Sequence, residues 1–312
     1  MAPAVPAVAV PHAGELLGLL TALLWAFAAT FFGIAGRRSH PTLVNVLRLP
    51  SALLLLGGAY AALHGTPWPG GLPGRVHLWL GLSGLVGLVV GDTFLFHAIA
   101  LVGPRRAMLM LAATPAFAAV AAWLLMGETI SPVGIAGMAV VAVGIVVATL
   151  GRDEGGGDFH RLPPAVLRRG LAAALVCALC SGVGNAFAKQ GMNLAAGLDP
   201  LGATLVRMGW ANLGIVLLLA GRGDVLRELP RLRSAAVAGP TALGVLLGPF
   251  LGMWAAISAI KLTETGVATV LMNSVPVTVL LPAWLFHRDP PSRAALAGIV
   301  LVLAGGVVLV LR

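Results

Sequence analysis

Apolar segments of roughly twenty residues follow one another along almost the whole chain, and short breaks containing glycine, proline or charge separate them. A helix needs about 20 apolar residues to cross a bilayer. Because 59% of the 312 residues are hydrophobic and 10% are charged, the chain cannot form a soluble globular surface. The pattern predicts an all-α polytopic membrane protein with ten transmembrane helices, and it excludes a cytosolic enzyme. We place the helices at residues 14–36, 41–63, 77–101, 104–126, 131–150, 167–189, 199–220, 236–260, 264–286 and 292–311.

The basic residues are scattered between the apolar segments rather than clustered on one arm. The formal net charge of +9 therefore does not indicate a nucleic-acid partner. Membrane topology and lipid headgroups account for these charges, so that membrane lipids are the expected partners. Cys177 and Cys180 form a Cys-x-x-Cys pair inside an apolar segment with no histidine at ligand spacing. We expect both to pack in the core, and we expect no metal and no cofactor.

The two halves of the chain repeat each other. A shift of 161 residues superposes glycines, a proline, a tryptophan and an acidic residue, and a shift of 159 superposes a proline and an arginine. The pairs are Gly87 and Gly248, Gly91 and Gly252, Pro115 and Pro276, Trp123 and Trp284, Glu128 and Asp289, Gly137 and Gly298, Gly144 and Gly305, Pro41 and Pro200, and Arg48 and Arg207. The repeats span residues 14–150 and 166–312, and a polar linker at 151–165 joins them.

Each repeat contains five predicted helices. Because five is odd, the second repeat must enter the membrane inverted relative to the first. Inverted repeats are typical of secondary transporters, in which two similar units open a shared central site alternately to either side.

The five-helix unit also resembles a known family. A proline in the fourth helix, an acidic residue at its end and a glycine-spaced fifth helix make each half similar to the EamA domain of the drug/metabolite transporter superfamily. The resemblance covers nearly the whole chain, twice. It implies a ten-helix bundle whose central cavity is lined by helices one, three, four, six, eight and nine. It implies transport of small metabolites and does not imply a particular substrate.

Asp92 is the strongest candidate for chemistry, because an unpaired carboxylate deep in a transmembrane helix costs about 3 kcal/mol. A role as proton acceptor or substrate anchor competes with a structural one, such as a hydrogen bond between helices or a pair with Arg48. His97 lies roughly 140° around the helix from Asp92, so the two do not share one face. A hydrogen bond in the core is the role that we expect for His97, with a substrate contact as the alternative.

Arg48 and Arg207 occupy equivalent positions, each seven residues after a proline that begins a helix, or about 10 Å along it. Both side chains can reach an interface by extending along the helix. A shared structural role and an anion site explain the recurrence equally well. A guanidinium fork suits a carboxylate or a phosphate.

Polar and aromatic residues on four other helices complete the candidate site. Asn185 and Lys189 are stacked one turn apart on helix six, where we expect Asn185 to face substrate and Lys189 to end the helix. Asn273 lies beside the helix-nine proline, which bends the helix or frees carbonyl groups to line a cavity. Trp25 in helix one and Trp254 in helix eight either stack on a ligand or anchor the protein at the membrane interface.

Two structural expectations concern the helix ends and helix packing. Glu128 and Asp289 follow helices four and nine, and we expect them to cap the helix that comes next, near Ser131 in the first repeat. Small residues recur every four positions in helices three and eight, and this pattern predicts that these two helices cross each other at the symmetry axis.

Two lines of reasoning give opposite orientations of the protein in the membrane. The loops that follow the odd-numbered helices contain fourteen arginines, and the opposite side of the protein has four basic residues. The positive-inside rule therefore places both termini outside the cell, whereas the family resemblance places both in the cytoplasm.

These observations together predict a secondary transporter in the cell (inner) membrane. We expect it to export small metabolites, such as amino acids or drug-like solutes, by alternating access, with proton coupling through Asp92. The alternative is a flippase or scramblase for lipids or other amphiphiles, which a cavity of low polarity would suit. An intramembrane enzyme is not expected, because the sequence contains no HExxH motif and no convincing catalytic Ser-His pair. The protein acts as a monomer or a homodimer.

Overall fold

The structure is a computed structural model that describes residues 11–36, 41–150, 163–195, 197–219, 235–279, 281, 282, 285 and 293–311. The secondary structure in these ranges is helical, which confirms the predicted all-α class. The uninterrupted helices are α1 (Ala13–Gly36), α2 (Pro41–His64), α5 (Pro132–Leu150), α6 (Pro164–Asn193), α7 (Pro200–Leu219) and α10 (Arg293–Leu311).

The four other helices are interrupted. α3 consists of Gly74–Leu82, a π-helical segment Ser83–Val90 and the residues from Gly91 to Gly103. α8 consists of Ala235–Val245, a π-helical segment Leu246–Gly252 and Met253–Leu262. α4 comprises residues 104–111 and Thr114–Met126, and α9 comprises Thr265–Met272 and Val275–Thr278.

Two glycines with positive φ separate elements at sharp changes of direction. Gly103 has φ 80° and ψ 160°, and it divides α3 from the first part of α4. Gly127 has φ 66° and ends α4 in the left-handed conformation, its N–H donating to the carbonyl oxygen of Trp123 at 2.9 Å. Both conformations are available to glycine at little steric cost, so the residue type explains where these helices end.

By length and composition, four helices in the described ranges are able to cross a membrane: Ala13–Ala35, Gly74–Gly103, Pro164–Asn193 and Ala236–Leu262. They are α1, α3, α6 and α8, two equivalent pairs from the two repeats. The apolar helices Thr114–Met126, Pro132–Ala148 and Leu296–Leu311 are shorter. The figure of ten crossings stays a prediction.

The most extensive contacts join a helix of the first repeat to a helix of the second. α5 packs on α10, α3 and α4 pack on α6, α1 packs on α8 and α9, and α2 packs on α7. The contacts follow the symmetry of the repeats: the contacts of α3 and α4 with α6 correspond to those of α8 and α9 with α1. The α5–α10 and α2–α7 pairs each join two equivalent helices. The bundle is therefore assembled by pairing the two repeats.

The small-residue faces of α3 and α8 meet other helices than predicted. A Cβ on Gly87 would lie 3.6 Å from the Cα of Gly184 in α6, and a Cβ on Gly248 would lie 2.9 Å from the Cβ of Ala28 in α1. The prediction that α3 and α8 cross each other is wrong for the described part of the chain. Each glycine face instead packs on the first helix of the opposite repeat, α3 on α6 and α8 on α1. Small residues allow this close approach between helices.

Equivalent helices are interrupted at equivalent places. The π-helical segments Ser83–Val90 and Leu246–Gly252 largely coincide under the shift of 161 residues. Turns at residues 112–113 and 273–274 break α4 and α9 just before the dipeptides that contain Pro115 and Pro276. Proline has no N–H and clashes with the preceding turn, which explains why both helices are interrupted here.

Candidate functional site

Arg48 of α2 and Asp92 of α3 form an ion pair in which Nη2 of the arginine donates to Oδ2 of the aspartate. The side chains are 14% and 25% exposed. The Phe96 ring, one helical turn after Asp92, lies 5.9 Å from the central carbon of the Arg48 guanidinium. Of the roles considered for Asp92, the pair with Arg48 is the one that the structure contains.

Arg207 of α7 lies near this ion pair and is 3% exposed. Its Nη1 lies 3.8 Å from Sδ of Met253 in α8, and Asp92 is within electrostatic range of it. Its Nε is buried and makes no hydrogen bond. Arg48, Asp92 and Arg207 form what we call the central charge cluster, which brings together helices from both repeats.

A row of polar residues follows one face of α9. Thr265, Thr269 and Asn273 are spaced four residues apart, and Asn185 of α6 donates to Oγ1 of Thr269 at 3.2 Å. Asn273 ends the row at the helix break, where its Nδ2 is buried without a hydrogen-bond partner. Oγ1 of Thr114, at the equivalent break in α4, is also buried without one.

A second group of polar residues lies where α1 and α9 begin and where α4 and α8 end. Glu128 accepts hydrogen bonds from the backbone N–H of Thr265 and from its Oγ1, and Oε2 of Glu128 lies 3.1 Å from Nζ of Lys189. Nζ of Lys189 donates to the carbonyl oxygen of Thr263 at 2.6 Å, and Oγ1 of Thr263 donates to Oε1 of Glu15 at 2.9 Å. We call Glu15, Glu128, Lys189, Thr263 and Thr265 the end cluster.

Two expectations for these residues are wrong. Glu128 caps α9 of the other repeat rather than the helix that follows it, because the left-handed turn at Gly127 directs the chain away from α4 and the Ser131 hydroxyl already accepts from the N–H of Gly134. Lys189 does not end α6, which continues to Asn193, and its ammonium group instead donates to the carbonyl oxygen of Thr263 in the end cluster. Asp289 lies outside the described residues.

The remaining candidates do not join the central charge cluster. His97 is exposed, so the expected hydrogen bond in the core is wrong. Trp25 packs against α8, with its Nε1 at 3.1 Å from the position that a Cβ on Gly252 would take. Trp254 is 37% exposed. Cys177 and Cys180 are free, and no three His, Cys, Asp or Glu side chains in the described ranges are grouped as a metal site requires.

Sequence reasoning missed Glu15, Thr263, Thr269 and Met253. Glu15 has the appearance of an ordinary first-turn acid of α1, yet it is 7% exposed. The four-residue spacing of Thr265, Thr269 and Asn273 was a readable signal for a polar helix face. Met253 could have been identified only from the alignment of the two repeats, in which it is the counterpart of Asp92.

The comparisons with known proteins agree with this architecture. The model of the EamA-like transporter family matches residues 12–150 and again residues 168–311, which confirms the two-repeat organisation and the resemblance. A crystal structure of another protein matches with a TM-score of 0.73 and 21% sequence identity, and the match covers 96% of each chain. At that identity it shows the fold alone. None of the curated proteins matches this chain significantly.

Proposed function

The chain belongs to the EamA-like transporter family, a family of membrane transporters in the drug/metabolite superfamily, and from this premise we propose that it is a secondary transporter that exports small metabolites across the cell membrane. Amino acids and drug-like solutes are the substrates that we propose. Alternating access between the two repeats is the proposed mechanism.

The observation that carries this proposal is the central charge cluster. Arg48, Asp92 and Arg207 come from helices of both repeats and lie within an apolar helical bundle. Charged side chains inside a membrane are costly and generally mark the path of a substrate or an ion. In secondary transporters the substrate site lies at the interface between the repeats.

The interrupted helices support the same proposal. In the hydrocarbon region, non-helical backbone is tolerated where it is buried in protein or lines a water-filled cavity. Two buried polar atoms without protein partners, Oγ1 of Thr114 and Nδ2 of Asn273, lie at the equivalent breaks in α4 and α9. Water or a solute is the natural partner for such groups.

The end cluster supports closure of the pathway at one end of the bundle. Glu15, Glu128, Lys189 and Thr265 join α1, α4, α6 and α9 through hydrogen bonds and an ion pair. We propose that the described conformation is closed at this end, and that opening toward this side breaks the contact between Lys189 and Glu128. In the conformation in which Lys189 and Glu128 are in contact, we propose that the pathway opens to the opposite side of the membrane.

Asp92 is the proton site that we propose for coupling. Protonation would remove the charge that holds Arg48, so a proton arriving from one side would release the arginine and change the balance between the two conformations. A flippase for amphiphiles is less well supported, since a buried cluster of two guanidiniums and one carboxylate favours a small polar solute over an acyl chain.

The test is a flux assay on the purified protein in proteoliposomes, with labelled amino acids and other small metabolites, with and without a pH gradient. Wild type is compared with Asp92→Asn and with Asp199→Asn, a matched control because Asp199 caps α7 through the N–H of Gly202 and asparagine preserves that role. We expect saturable, gradient-driven flux in the wild type and the control, and its loss in Asp92→Asn.

Other outcomes change the proposal in defined ways. Flux that Asp92→Asn leaves intact would remove Asp92 from the mechanism and keep the transporter. If no metabolite is transported while the protein moves labelled lipid between leaflets, the flippase is correct.

A further inference from the structure

The two repeats differ at one position of the central charge cluster. The shift of 159 residues superposes Arg48 on Arg207, so both repeats have the same cation, but under the shift of 161 that superposes Gly91 on Gly252 the counterpart of Asp92 is Met253. In the first repeat the arginine therefore has a carboxylate partner, and in the second it has a thioether, 3.8 Å from Nη1. A thioether is a weak hydrogen-bond acceptor. The second repeat has kept the cation and has no equivalent anion.

The surroundings of Arg207 give its guanidinium no direct salt bridge, and Asp92 interacts with it only at longer range. The side chain is 3% exposed, and its Nε is buried without a hydrogen bond. Within the described ranges, no carboxylate lies within salt-bridge distance of it. A Cβ on Gly87 of α3 would lie 3.1 Å from Nη2 of Arg207, so the guanidinium faces α3 at a position that has no side chain. A larger residue at position 87 would press against the guanidinium.

The charge balance of the cluster indicates what is missing. Arg48 and Arg207 contribute two positive charges, and Asp92, which is already bonded to Arg48, contributes one negative charge. Buried charges in membrane proteins are paired with one another or with backbone carbonyl groups, because hydrocarbon offers no hydrogen-bond acceptor. A guanidinium has five N–H donors, and leaving them unpaired is costly. An anion from outside the chain would complete the cluster.

We propose that Arg207 binds the carboxylate of the transported solute, in the position that the Asp92 carboxylate takes relative to Arg48 in the first repeat. The proposal rests on the proposed function and narrows its substrates to small carboxylic acids, amino acids among them. A carboxylate presents two oxygens in the plane of the guanidinium fork, which allows two parallel hydrogen bonds. The first repeat already holds this group against the equivalent arginine.

The test measures binding without transport. The Tm of the full-length protein in detergent is followed while single amino acids and short monocarboxylic acids are added, each beside its own amide, in which a neutral carboxamide of the same shape replaces the carboxylate. A ligand that binds the folded state raises Tm in a saturable way. We expect acids to raise it and the amides to have no effect.

Two variants address the site from opposite directions. Arg207→Met removes the cation, and Met253→Asp supplies the anion that the second repeat lacks, so that Arg207 is paired within the chain. Both should weaken the apparent affinity for the acids about tenfold to one-hundredfold, the value of a hydrogen bond between charged groups. Met253→Asp should also raise the Tm of the ligand-free protein. Lys261→Met is the matched control, since it removes a cation that donates to the carbonyl oxygen of Leu198, away from the cluster.

Three results would overturn the proposal: amides that stabilise as well as the acids, an affinity that Met253→Asp leaves unchanged, or no shift with any acid in the wild type. A shift that depends on Arg207 in a protein that shows no flux would uphold the anion site and count against the transporter. The same titration in nanodiscs of phosphatidylcholine and of phosphatidylglycerol identifies the source of the anion. Stabilisation by phosphatidylglycerol that needs Arg207 would assign the site to a lipid phosphate and overturn the carboxylate.

Discussion

Nζ of Lys189 lies 3.1 Å from Oε2 of Glu128, and this ion pair joins α6 of the second repeat to the end of α4 in the first. The same carboxylate accepts from the backbone N–H of Thr265 and so caps α9. One acidic side chain therefore holds three helices together at one end of the bundle.

Replacing Glu128 should destabilise the protein. Glu128→Ala removes a helix cap and leaves the ammonium group of Lys189 without its ionic partner, and both side chains are largely buried. We expect a loss of about 2–4 kcal/mol in the free energy of unfolding. Unfolding by denaturant in mixed micelles, followed by tryptophan fluorescence, measures it. Glu128→Gln retains an acceptor oxygen for Thr265 and should lose roughly half as much. An alanine variant as stable as the wild type would show that the cap contributes nothing.

The contact between Arg48 and Asp92 should appear as an energetic coupling. In a double-mutant cycle with Arg48→Met and Asp92→Asn, we expect the two stability changes to differ from additivity by about 1–3 kcal/mol, because either change alone leaves a partly buried charge unpaired. The control cycle pairs Arg48→Met with Asp199→Asn, whose contacts are with His64 and Gly202, and it should be additive. Additivity in the first cycle would mean that the ion pair does not form in the membrane.

Asn273 should matter for transport and not for stability. Its buried Nδ2 has no protein partner, so Asn273→Leu removes no hydrogen bond within the chain. We expect the free energy of unfolding to stay the same or rise by about 1 kcal/mol, while flux in proteoliposomes is lost. Asn212→Leu is the comparison, because Nδ2 of Asn212 donates to the carbonyl oxygens of Leu49 and Met208. That variant should lose about 1–3 kcal/mol. Full flux in Asn273→Leu would exclude this amide from the pathway.

The close contact between α5 and α10 should not tolerate a methyl group. A Cβ on Gly298 would lie 2.7 Å from the carbonyl oxygen of Gly144, and backbone atoms cannot move aside as a flexible side chain can. We expect Gly298→Ala to lower the free energy of unfolding by about 1–3 kcal/mol. Gly33→Ala, in α1, has no atom within 4 Å of the new methyl group and should be neutral or stabilising by up to about 1 kcal/mol. Equal stability of the two variants would argue against the contact.

Hydropathy and the internal repeat were sufficient to predict the helical class and most helix positions. The predicted segments 14–36, 41–63 and 131–150 differ from α1, α2 and α5 by at most one residue at either end. These boundaries depend on local signals, namely proline, glycine and charge at the ends of apolar segments. The pairing of Arg48 with Asp92 was among the alternatives, because the two were the buried charges of opposite sign in the first repeat.

Contacts between the repeats could not be predicted in the same way. The glycine spacing in α3 indicated a close helix contact and not the identity of its partner, α6. Glu128 reaches a helix 137 residues away in the chain, which no local capping rule identifies. The π-helical segments have no sequence signature in the apolar stretches where they occur. Each of these features depends on tertiary packing.

The exchange of partners between the repeats has a consequence for how the protein is made. The close faces of α3 and α5 are covered by α6 and α10, which are synthesised later. When the first five helices leave the ribosome, their glycine faces and the Asp92 region therefore lie open to lipid until the second half is inserted. The close packing of the first repeat is therefore completed only after the second repeat has been synthesised.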